Sequence, residues 1–155
     1  MSGYSITTDS SAVLAGIQEH AQKSVRAIQK SLAKVGFKKI ERAVTIASRL
    51  SIASGNLRGS AAVAVGGQVI RQMMKGEGIN DPDVSGMSQT ALRVSFNTDY
   101  AARFHERADW KPRPKPDAPG EESLIGPKYL SSKEEKYAEE DKRLLAELIR
   151  EELGG

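Results

Sequence analysis

The sequence has no cysteine and only two histidines in 155 residues. This excludes a disulfide framework, a thiolate zinc site and a cysteine nucleophile. A nucleophile–base–orienter set has very little left to draw on. Aromatic residues make up 5% and apolar residues 39%. Both fractions are low, so the core is expected to be thin, with part of the chain extended or waiting for a partner. No stretch approaches the roughly 18 consecutive apolar residues of a membrane helix. The first residues have neither a basic start nor an apolar signal core, so a soluble protein without membrane contact, not exported through a cleaved signal, is expected. The phosphate-binding patterns GxxxxGK[ST] and GxGxxG are missing, and Gly66-Gly67 lies between strands rather than before a helix. No cofactor and no catalytic residue are expected.

What is present is periodic. Leu14, Ile17, Ala21, Val25, Ile28, Leu32 and Val35 recur at steps of three and four, which places them on one face of a helix starting near Ser10 or Ser11. Lys23, Arg26, Lys30, Lys34 and Lys38 step in the same way on the other side and form a candidate basic contact face. Gly36 suggests a break or bend, followed by a second helical stretch with Ile40 on its buried side. Ser60 to Val65 and Gln68 to Met74 read as strands around a Gly66-Gly67 hairpin turn, and Ala91 to Phe96 as a third strand. Residues 75–90 read as a loop.

A short helix is expected from about Tyr100 to Arg107, capped by Asn97 to Asp99. Four prolines between Pro112 and Pro119 dictate an extended segment near polyproline II. Ser131 and Glu134 have capping-box spacing ahead of a helix from about Lys133 to Leu153. Its apolar stripe is Tyr137, Leu144, Leu145, Leu148 and Ile149, with Glu139 and Arg143 spaced to pair. The expected fold class is therefore α+β: a long N-terminal helix packed on a small antiparallel sheet, a short helix, an extended Pro-rich loop and a C-terminal helix. Residues 1–9 form an arm, and residues 10–155 form a single domain with the extended loop at 108–128.

Charge is uneven. Residues 1–110 hold 14 Lys/Arg against 9 Asp/Glu, and residues 111–155 hold 9 against 11. Opposed patches of this kind suit complementary surfaces more than a dedicated nucleic-acid binder. The basic face could meet phosphates, or the acidic terminal segment around Glu134 and Glu140 of a neighbouring subunit, or only solvent. His105 and Glu106 with Asp99 and Asp109 form the one cluster that resembles a metal site. An HExxH motif would need a histidine where Asp109 stands, and no metal is expected there.

Three segments, Ser54 to Ser60, Val94 to Glu106 and Gly126 to Leu130, together resemble, in order and spacing, the tail-completion, neck or "minor capsid" family of tailed bacteriophages. Ser54-Gly-Asn-Leu-Arg-Gly-Ser60 resembles the family's TGNLRxS element. Val94 to Glu106 resembles its strand followed by N-x-x-YA-x-x-x-HE. Gly126-Pro-Lys-Tyr-Leu130 resembles its G-x-KYL entry to the last helix. The resemblance implies a non-enzymatic virion protein forming a homo-oligomeric ring of six subunits at the head–tail junction. That ring would join other phage neck or tail proteins and surround genomic DNA that passes through without sequence-specific binding. It also implies fold-shaping or inter-subunit roles for Asn56, Leu57, Arg58, Tyr100, His105, Glu106, Tyr129 and Leu130. The competing expectation is a cytoplasmic DNA-binding protein that uses the basic helix face, with an affinity falling steeply as salt rises.

Overall fold

The computed structural model describes residues 10–47, 60–70, 82–98, 101–106 and 130–154. The expected arm at 1–9 and the Pro-rich loop at 108–128 lie outside these residues. Helix α1 runs unbroken over Ser11–Ala47, 37 residues, about 55 Å at 1.5 Å per residue. Strands β1 (Ala61–Val65), β2 (Gln68–Ile70) and β3 (Leu92–Phe96) follow, then α2 (Ala101–Glu106) and α3 (Ser131–Leu153). This is the expected α+β arrangement. No helix among the described residues is long and apolar enough to cross a membrane.

The sheet is antiparallel throughout in the order β2-β1-β3. Gly66 and Gly67 have φ values of 58° and 83°. Positive φ at both central positions marks the primed hairpin turn that glycine favours. The register sets Val63 opposite both Ile70 and Val94, and Val65 opposite Gln68 and Leu92. Period-2 alternation then turns Ala61, Val63 and Val65 to one side, where they join Ala33, Phe37 and Ile40 of α1 in the core. Leu92, Val94 and Phe96 pack on its flank, as their alternation implies.

Helix α1 does not break at Gly36. A Cβ there would stand 2.7 Å from Val63 Cγ1 and 2.8 Å from Leu92 Cδ1, so the missing side chain lets the sheet approach the helix. The residue that reads as a helix breaker in the sequence is a packing contact. A polar residue also anchors this layer. Gln29, 1% exposed, donates its amide hydrogens to Met87 O (3.2 Å) and Gln89 O (3.1 Å). It thereby holds the 82–90 segment on α1. That segment is also organised locally: the Ser85 N–H donates to the Asp83 carboxylate at 2.9 Å, which holds the Asp83 carboxyl below its usual value. Gln29→Leu would strand two carbonyls and is expected to cost about 1–3 kcal/mol. Faster amide exchange confined to residues 82–90 would report it, and unchanged protection there would refute the anchoring role.

Helix α3 begins two residues earlier than expected and without the capping box. Leu130 is its N-cap and makes no side-chain cap bond. Ser131 Oγ lies 3.5 Å from His105 Nε2, and the Glu134 carboxylate is taken by Lys39 at 3.1 Å. The two capping side chains are diverted into tertiary contacts. Glu139 likewise pairs with Lys142 at 2.7 Å rather than with Arg143. The expected stripe Tyr137, Leu144, Leu145, Leu148 and Ile149 is half-buried.

Candidate functional site

The basic face of α1 and the acidic face of α3 meet within one chain. Lys34 Nζ is 2.6 Å from Glu152 Oε1, and Lys30 Nζ is 3.9 Å from Glu152 Oε2. Further along, Lys39 lies 3.1 Å from Glu134 and 3.2 Å from Asp141. Arg42 reaches Asp141 and Glu140, each at 2.6 Å, and its guanidinium carbon sits 4.2 Å above the centre of the Tyr137 ring. The middle of α1 thus meets late α3 and late α1 meets early α3, so the helices run antiparallel. Of the alternatives open for the basic face, a pairing with the acidic segment of α3 is made, for Lys30 and Lys34, inside the protomer. Lys38 pairs with Glu41 on its own helix at 2.9 Å. Of the basic face, Lys23 and Arg26 are exposed, beside Glu19 and Gln22.

The reason is length. Helix α3 ends at Leu153, and Glu152 is already level with Lys30 and Lys34. The part of α1 before Ala27, about 24 Å of helix, runs on past it. Every residue from Ser10 to Lys23 is exposed. The apolar stripe continues regardless of this loss of cover: Val13 is 63% exposed, Leu14 56%, Ile17 60% and Val25 42%. Their spacing keeps them on one side of the helix. The expected apolar face is therefore core only in its second half, and its first half is an open surface.

The residues carried by the family resemblance divide unevenly. Asn56, Leu57, Arg58, Tyr100 and Tyr129 lie outside the described residues. Leu130 packs with Ala101 and Phe96 in a small second cluster. His105 Nδ1 is 2.9 Å from Glu106 Oε1, and its other ring nitrogen faces Ser131. The strand-and-helix segment and the entry to α3, remote in sequence, are thus brought together. Among the described residues, no group of three or more His, Asp or Glu is placed to hold a metal ion; Asp99 and Asp109 are not among them.

Two residues of the interhelical site are missed by sequence reasoning although a signal exists. Lys133 and Asp141 stand four residues on either side of Tyr137 and so occupy the apolar stripe of α3. A charged residue on such a stripe points to a buried partner, and both are buried, at 3% and 7% exposure. Compared with known proteins, the chain matches no family model, no curated protein and no solved structure.

Proposed function

We propose that this chain is a structural assembly protein whose copies join through the first half of α1. The join builds a ring at the head–tail junction of a tailed bacteriophage, as a tail-completion or neck component of the virion. The observation that supports self-association is the open stripe of Val13, Leu14, Ile17 and Val25. Covering such side chains is worth about 1.5–3 kcal/mol each, and nothing among the described residues covers them. A second copy is the proposed occupant. The placement in a phage rests on the three sequence segments at 54–60, 94–106 and 126–130.

The duplex-binding alternative loses two of its five basic contacts to α3, because Lys30 and Lys34 already face Glu152. Light scattering of the purified chain should find a discrete closed oligomer, of about six subunits for a ring of this kind. Leu14→Asp combined with Ile17→Asp should abolish it with the helix content unchanged, since both side chains are free of the protomer core. A monomer at every concentration that shifts duplex DNA at low salt would overturn the proposal in favour of the alternative.

A further inference from the structure

A cavity of about 420 Å³ opens between β3, the start of α3 and the second half of α1. Its ionic lining is four cations, Lys39, Arg42, Arg93 and Lys133, and two anions, Glu134 and Asp141. The anions already face cations, although Asp141 Oδ2 makes no hydrogen bond. Lys39 bridges Glu134 and Asp141 at 3.1 and 3.2 Å, and Arg42 holds Asp141 at 2.6 Å. The charge left over is that of Arg93 and Lys133.

Arg93 is exposed. Lys133 is 3% exposed, and its Nζ is buried without a hydrogen-bond partner. Removing an ammonium group from water without an acceptor is costly. Here burial pushes the amine down to about 8, so it remains mostly protonated at neutral pH. The N-terminus of α3, with Leu130 making no side-chain cap bond, borders the same space. The N–H groups ahead of Glu134 in its first turn have no acceptor within the helix, and the helix dipole is positive at that end.

We propose that this cavity is an oxyanion site, in which Lys133 with Arg93 binds a phosphate or carboxylate group. The ligand supplies the acceptor that the lysine lacks. The site is independent of the assembly surface on α1 and stands whether or not the chain forms rings.

The test is thermal unfolding with inorganic phosphate, and separately with acetate, at an ionic strength matched by chloride. Wild-type protein is expected to gain several degrees in Tm with at least one of the two, because a ligand that binds only the folded state stabilises it. Lys133→Met keeps the aliphatic stem and should fold at least as well, since it deletes an unpaired buried charge; its Tm should not respond. A response to phosphate alone assigns the site to phosphate groups, and a response to acetate as well extends it to carboxylates. Arg93→Met provides a second variant at an exposed position, expected to weaken anion affinity about tenfold by calorimetry. Calorimetry should also show wild-type affinity falling from about pH 7.5 to about pH 9.5 as the amine loses its proton. Equal shifts in wild type and Lys133→Met, or no shift with either anion, would overturn the proposal.

Discussion

Arg42→Ala is expected to lower the unfolding free energy by about 3 kcal/mol, measured as a fall in urea midpoint at unchanged slope. Arg42 is a hub. Its two terminal nitrogens hold two different carboxylates, Asp141 and Glu140, each at 2.6 Å, while its guanidinium carbon stacks 4.2 Å over Tyr137. Two of the three side chains in the central pair-plus-lysine set are nearly out of solvent: Arg42 is 11% exposed and Asp141 8%. Deleting one member of a buried pair leaves the other desolvated and uncompensated, which typically costs about 3–5 kcal/mol. The lower end applies because Lys39 still lies 3.2 Å from Asp141 Oδ2.

A control sits on α3, beside the carboxylates that Arg42 holds. Lys142 and Glu139 are as close, at 2.7 Å, but 72% and 76% exposed, and Glu139→Ala should change stability by less than about 0.5 kcal/mol. Arg42→Lys should not rescue, since one ammonium cannot span two carboxylates and also stack on the ring. Equal costs at Arg42 and Glu139 would mean that the interhelical pairs are surface decoration and that α3 is held by its apolar stripe alone.

The contrast between these two pairs explains what was legible in the sequence. Periodicity gave both long helices and the alternation in β3, because those patterns are local. Gly66-Gly67 announced the hairpin for the same reason: the turn needs positive φ at two adjacent residues, and the chain supplies two glycines there. Periodicity does not say which part of a stripe finds a cover. Leu14 and Ile17 repeat in phase with Val35, yet only Val35 is buried. That depends on where α3 stops, more than a hundred residues away in sequence. The basic face divides on the same ground. Lys34 and Glu152 are 118 residues apart, and nothing local distinguishes a lysine that meets its partner within the protomer from one that awaits a neighbour. The capping-box spacing of Ser131 and Glu134 was a true local signal overruled by tertiary contacts with His105 and Lys39. Lys133 and Asp141 could have been found, since each interrupts an apolar stripe at helical spacing.

Gly36 is where a local rule and the tertiary structure give opposite signs, and so where a single substitution decides between them. An exposed helical glycine changed to alanine gains about 1 kcal/mol through helix propensity. At position 36 the new methyl would sit 2.7 Å from Val63 Cγ1 and 2.8 Å from Leu92 Cδ1. Val63 is 0% exposed, sits on the central strand and is branched at Cβ, so it has nowhere to turn. Leu92 lies on β3 and is only partly buried, so its far end has more room to give.

Overpacking of this kind costs about 1–3 kcal/mol. Gly36→Ala should therefore lose about 1 kcal/mol net, against the propensity gain. Gly36→Val, whose branches push further into the sheet, should lose more than about 3 kcal/mol. The cause is separable by a double-mutant cycle. Val63→Ala alone opens space in the core and costs on the order of 2 kcal/mol. Combined with Gly36→Ala it should cost less than the sum of the two, by about 1 kcal/mol, because the methyl lost at one position makes room for the methyl gained at the other. Strict additivity, or a Gly36→Ala variant more stable than the parent, would mean that the sheet can back away from α1. Gly36 would then be the weak point in the helix that its sequence suggests.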